Sequence, residues 1–169
     1  MINPVIIVPY DPAWPAVFAQ IRDEIARALG TTALEIEHIG STAVAGLAAK
    51  PIIDMDVVIP TEADLSVAIN KLSKIGYTYE GERGIDGRHA FTQPSRLPAH
   101  HLYVCAAANP ELGRHIAFRD YLRANPDAAK TYGLLKKRLA DRFGSDREGY
   151  SNAKTAFIAE ALSKRSRNS

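Results

Sequence analysis

The period of the hydrophobic positions changes several times along this chain, and each change marks an element. Trp14, Phe18, Ile21, Ile25 and Leu29 recur at three- and four-residue spacing. That spacing predicts a helix from Pro12 to about Leu29, with Asp11 as its N-cap and Gly30 as its stop. Val5 to Val8 ahead of it reads as a short extended segment. Leu34 to Ile39 and Ile52 to Ile59 read as strands, and Pro60 ends the second. Glu62 to Ile75 is helical through Leu65, Ala68, Ile69, Leu72 and Ile75, with Gly76 after it. Tyr77 to Glu80 is a short strand, Gly81 to His89 a glycine-rich hairpin loop, and Arg88 to Thr92 the returning strand. His100 to Ala106 alternates, with His101, Tyr103 and Cys105 on one face and His100, Leu102 and Val104 on the other. The remainder is helical: Leu112 to Ala124, Pro126 to Phe143, and Asp146 to Leu162, whose stripe is Tyr150, Ala153, Phe157 and Ala161. Strands early and helices late predict an α+β fold, a mixed β-sheet flanked by helices with a helical C-terminal part.

The chemistry concentrates between Glu37 and Ile59. Residues two apart on a strand share a face, so Asp54 and Asp56 point together, with Met55 and Val57 opposite. Two like charges side by side in an apolar strand repel, and burying them bare is costly. A metal ion, a basic side chain or a shared proton must compensate. Mg²⁺ suits a pair of carboxylates because it takes oxygen ligands and also binds phosphate oxygens. Gly40 and Ser41 precede Asp54 by about a dozen residues. Glycine permits close backbone approach, and Ser41 and Thr42 can cap a short small-residue helix over Ala43 to Lys50, with Gly46 a candidate break, whose free N–H groups would face an anion. Lys50 adds positive charge there.

Gly40-Ser41 followed by Asp54-x-Asp56 resembles the nucleotidyltransferase superfamily pattern. The longer string HIGSTAVAGLAAKPIIDMDVVI, with PYDPAW, HLYVC and FRDYLRANPDAAKTYGLLKKRLA, is similar to the GrpB family of small bacterial proteins, also found fused to dephospho-coenzyme A kinase. The resemblance covers almost the whole chain. It implies a nucleotidyltransferase fold, with Asp54 and Asp56 as metal ligands and Ser41 as a phosphate contact. The chain departs from the superfamily where a third carboxylate is expected on a later strand. The matching strand, HHLYV, offers His101 and Tyr103 instead. His101 suits a metal, a phosphate or general-base work near neutral pH. His100 is its competitor on the other face, and Glu37 and His38 stand at the end of the first strand.

Further basic groups are candidate ligand contacts. Arg88 and His89 follow the glycine-rich loop. Arg119 and Arg123 are four apart and project together, able to clamp a phosphate or carboxylate, or to pair with Asp120 and other acids. Tyr132 and Lys136 share a face of the next helix, with Lys137 beside them and Lys154 a similar candidate on the last helix.

Composition narrows the partners. The 169 residues read as one domain over 1–165 and a frayed tail at 166–169. A net charge of +2 gives no global footprint for nucleic acid. The single Cys105 excludes an internal disulfide and fits a reducing cytoplasm, and no segment has the character of a signal peptide or a membrane span. The expected activity is transfer of a nucleotidyl group from a nucleoside triphosphate, ATP foremost, with Mg²⁺, to a small-molecule acceptor. A carboxylate acceptor would make it ligase-like. The alternative is a non-catalytic nucleotide- or ligand-binding module.

Overall fold

The computed structural model describes residues 4–167. One five-stranded mixed sheet carries the molecule, in the order β1-β2-β5-β4-β3. Its strands are β1 (Glu35–Ile39), β2 (Ile53–Ile59), β3 (Thr78–Tyr79), β4 (Arg88–Thr92) and β5 (His100–Ala106). β2 and β5 run parallel, and every other neighbouring pair is antiparallel. α1 (Trp14–Leu29) and α2 (Leu65–Ser73) belong to the first two thirds, and α3 (Pro110–Ala124), α4 (Pro126–Phe143) and α5 (Arg147–Arg167) form the helical half. The α+β architecture expected from the hydrophobic pattern is the one observed. Among the described residues, no helix is long and apolar enough to cross a membrane.

The two faces of the sheet differ in kind. Ile53, Met55, Val57 and Ile59 of β2, Leu102 and Val104 of β5 and Phe91 of β4 pack against Trp14, Ile21, Ile25 and Leu29 of α1 and Ala68 and Leu72 of α2. This is the principal core, and most of it is fully buried. The opposite face carries Asp54 and Asp56 on β2 beside His101 and Tyr103 on β5. There α3 seats Leu112 on Val58 and Cys105, and α4 and α5 pack onto the segment that follows β1 and onto the N-terminal segment.

Several boundaries move for local reasons. α1 starts at Trp14 rather than Pro12, because Asp11 caps a turn instead, accepting a bond from the Ala13 N–H at 2.8 Å. α2 is shorter than its pattern, since Glu62–Asp64 forms a separate 3-10 turn closed by a reciprocal Thr61–Asp64 capping box. The expected helix over Ala43 to Lys50 is absent. Only Ser41–Ala43 makes a 3-10 turn, Val44 is extended, and Gly46 takes a φ of 80°. Ala45 and Gly46 form a turn in which the Leu47 N–H donates to the Val44 carbonyl, and Ala49 then pairs with Val8 in an isolated bridge. No helix N-terminus faces an anion there. α5 continues to Arg167, and of the tail expected to fray, residues 168–169 lie outside the described residues.

His100 belongs to the core face. Its Nδ1 lies 2.7 Å from the Pro98 carbonyl, which only accepts, so Nδ1 carries the proton. Nε2 therefore accepts from the Tyr77 hydroxyl, also at 2.7 Å. Burial lowers the His100 pKa and keeps that neutral tautomer in place. Tyr77→Phe leaves a buried ring nitrogen without its donor and should lower stability by about 1–3 kcal/mol in urea unfolding. An unchanged unfolding midpoint would remove His100 from the structural account.

Candidate functional site

The parallel pairing of β2 with β5 sets Asp54 beside His101 and Asp56 beside Tyr103. His101 donates Nδ1–H to Asp54 Oδ1 at 2.8 Å. That bond leaves Nε2 as the open nitrogen, on a side chain that is 53% exposed. Gly40 adopts a φ of 72°, and a Cβ there would stand 2.6 Å from Asp54 Oδ2. Only glycine allows both the backbone turn and the approach of the carboxylate. The loop of Gly40 and Ser41 and the strand of Asp54 thus meet.

A cavity of about 160 Å³ opens beside Asp54, lined by Ser41, Lys50, Asp54, His101, Lys136 and Lys154 among others. That volume is below the size of an ordinary small-molecule pocket, about 300–1,000 Å³, and suits a phosphate-sized group. An adjoining cavity of about 280 Å³ shares Lys50, Ile52 and His101 with it. The three lysines come from three separate segments. Lys136 is buried, donates to the Ala48 carbonyl at 2.5 Å, and holds its ammonium 4.9 Å from the Tyr132 ring centroid. Lys50 and Lys154 lie over the ring of Tyr150, at 4.9 and 4.5 Å. Burial and then repulsion from Lys154 push the Lys136 pKa down to about 7, against the pull of Asp54. Burial and Lys50 bring Lys154 down to about 8. Lys50 is lowered by burial and by Arg147. Tyr132 is buried and stacked on Phe157, and burial raises its pKa while a hydrogen bond with Ser41 opposes the rise.

Asp56 stands apart from this cavity. It has no exposed surface. Arg88 Nη2 donates to its Oδ1 and His115 Nδ1 to its Oδ2, both at 3.2 Å. Of the three ways to balance the carboxylate pair, a basic side chain is the one present at Asp56. Arg88 therefore does not open onto the cavity. It lies with its guanidinium 3.4 Å from the Tyr103 ring centroid. His89, on the opposite face, meets Glu62 and Tyr79.

Arg119 and Arg123 are committed to the protein as well. Arg119 reaches Glu37 at 2.5 Å, the His38 carbonyl at 3.1 Å and Asp120 at 2.9 Å. Arg123 donates to the Ala43 carbonyl at 2.9 Å. They fasten α3 to the end of β1 and the turn after it. His38 is stacked on Phe18 and bonded to Thr42. Burial, reinforced by Arg123, lowers its pKa to about 4, so it stays neutral. His115 escapes a reading that looks for motifs. Its signal is helical spacing, because Glu111, His115 and Arg119 fall four apart on one face of α3. Tyr150 reads from sequence as a plain core stripe, yet it also lines the cavity.

The donor set fits a cation at Asp54 but not across both aspartates. Asp54 is 34% exposed and has Oδ2 outside its bond to His101. Both Asp56 oxygens already accept from basic side chains, one from Arg88 and one from His115. Among the described residues, no three His, Cys, Asp or Glu side chains group closely enough to hold a metal by themselves.

Comparison with known proteins shows the family and the fold. The crystal structure of the conserved protein GrpB from Enterococcus faecalis superposes with a TM-score of 0.84 at 37% identity, covering 96% of this chain and 98% of that one. The glutamate-rich protein GrpB of Alkalihalophilus pseudofirmus is 34% identical, over 94% of each chain. The UPF0157 protein YqkA of Bacillus subtilis is 36% identical over 92% of this chain, which spans only 45% of that relative's length. More distant likenesses show the fold alone. The Cid1 poly(U) polymerase bound to MgATP gives a TM-score of 0.57 at 12% identity, over 80% of this chain and 45% of its own. The GLD-2/RNP-8 complex gives 0.58 at 12% identity, over 89% and 60%. The fold is thus that of nucleotidyltransferases. The sequence model described as GrpB protein matches residues 4–164, and the chain belongs to the GrpB family.

Proposed function

We propose that this chain binds a nucleoside triphosphate, ATP being the first to test, and transfers its nucleotidyl group to a small-molecule acceptor. One observation carries the proposal: Lys50, Lys136 and Lys154 converge on a phosphate-sized cavity beside Ser41 and Asp54. Burial and then mutual repulsion make charging these ammonium groups unfavourable in the empty protein, and the lowered pKa values of Lys136 and Lys154 express that cost. A polyanion relieves it. The nucleotidyltransferase fold of the chain and the MgATP bound by its distant likeness Cid1 support the same ligand class.

In this account the lysines and Ser41 hold the outer phosphates, and the adjoining cavity takes the next part of the ligand. Asp54 would hold Mg²⁺ arriving with the nucleotide, where the ion neutralises phosphate charge. Asp54 also fixes the His101 tautomer, so that Nε2 takes the proton from an acceptor hydroxyl as its oxygen bonds to the α-phosphorus and pyrophosphate leaves. A carboxylate acceptor needs no such proton transfer and would give a mixed anhydride. Binding without transfer is the second reading. It is favoured by Asp56, whose oxygens are taken up by Arg88 and His115.

Anion binding should raise the lysine pKa values and take up protons. Between about pH 7.5 and 9, ATP affinity should therefore fall by about tenfold or more, because both lysines must be protonated to hold the phosphates. Isothermal titration at several pH values checks this, and Lys154→Gln should weaken binding and flatten the profile. Affinity independent of pH, with Lys154→Gln neutral, would contradict the phosphate assignment. In the ligand-free protein the sign reverses. The folded lysine pKa lies below the ordinary 10.5, so this part of stability rises as pH climbs from about 7 toward that value.

His101→Ala should lower pyrophosphate release with a hydroxyl acceptor by about 100- to 10,000-fold while leaving ATP affinity within a few fold. Full turnover in a folded His101→Ala protein would take His101 out of the mechanism. Wild-type protein that binds ATP yet releases no pyrophosphate with pooled metabolites would establish the binding reading instead.

A further inference from the structure

Three carboxylates, Glu37, Asp56 and Asp54, lie side by side on the polar face of β1 and β2, and each has a cationic or imidazole partner of its own. Glu37, the cross-strand neighbour of Asp56, is held by Arg119. Asp54 is held by His101. Asp56 is held by Arg88 and His115. The Arg88 contact is the most constrained of these. The side chain starts on β4, two strands from Asp56, and crosses β5 on the face of Tyr103. It is 11% exposed, and its Nε is buried without a hydrogen-bond partner. A guanidinium normally satisfies all of its donors when buried. Arg88 forgoes one donor and keeps its charge at Asp56 and its plane on Tyr103.

We propose that Arg88 is a resident cation, filling the place at Asp56 that a metal ion would take. Asp56 then organises the interface between the sheet and α3 through Arg88 and His115 and is not a metal ligand. Resting on the nucleotide reading, a second consequence is that the cation accompanying the nucleotide sits on Asp54 alone, so the protein takes one divalent ion per bound nucleotide.

The first part is tested without any ligand. Urea unfolding of wild type, Asp56→Asn, Arg88→Gln and the double variant closes a cycle. Each single change leaves a buried group facing a missing charge and should lower the folding constant by about 100-fold or more. The double variant should be at least about tenfold better than the product of the singles. Additive losses would overturn the proposal. If a single variant does not fold, the wild-type protein still decides the matter. After equilibrium dialysis against Mn²⁺ and a non-hydrolysable ATP analogue, metal and nucleotide are counted per chain. One Mn²⁺ per nucleotide, lost in Asp54→Asn, is expected, and two per nucleotide would overturn it. If neither metal nor nucleotide is retained, the nucleotide reading has failed, and additive or coupled losses in the cycle still settle the place of Arg88.

Discussion

A carboxylate without exposed surface governs how this molecule is assembled. Asp56 sits on β2, at the middle of the polar face, and cannot shed its charge into water. A buried ion must be paired and hydrogen-bonded, or the fold loses several kcal/mol. Arg88 brings β4 into that account and His115 brings α3. Arg119, one helical turn further along α3, repeats the arrangement at Glu37 on β1. The helical half is thus seated on the sheet by charge and only partly by apolar contact, since the cluster of Val58, Cys105 and Leu112 is small. The other face of the same strands follows the opposite rule, with a continuous apolar core against α1 and α2.

Next to this balanced cluster lies an unbalanced one. Lys50, Lys136 and Lys154 face Asp54, which already engages His101. The cations of this cluster exceed its carboxylates, and the aromatic rings of Tyr132 and Tyr150 stabilise the ammonium groups without neutralising them. The same sheet face therefore separates a structural part, where charges cancel, from a part with charge to spare.

Much of this was legible in the sequence where local rules decide. β4, β5 and α4 fall where alternation, proline and glycine put them, and the shared face of Asp54 and Asp56 follows from strand parity alone. Over Ala43 to Lys50 the local pattern misleads, because small residues tolerate a helix without demanding one. Glycines at 40 and 46 and the pairing of Ala49 with Val8 decided the outcome, and the last of these is a distant contact. The glycine-rich loop before Arg88 points to a ligand contact. The actual partner of Arg88 depends on the register of β2 with β5 and of β5 with β4, which no local pattern states. Ser41, Tyr132 and Lys136 each stand out as candidates from local pattern, while their meeting with Lys154 depends on how α4 and α5 pack.

The measurement that bears most directly on the central claim is a crystal structure of the protein with Mg²⁺ and a non-hydrolysable ATP analogue. The account predicts the outer phosphates among Lys50, Lys136, Lys154 and Ser41, with a metal on Asp54 and the Arg88–Asp56 pair intact. A nucleotide bound elsewhere, with those lysines facing solvent, or a metal bridging Asp54 and Asp56 with Arg88 displaced, would contradict it.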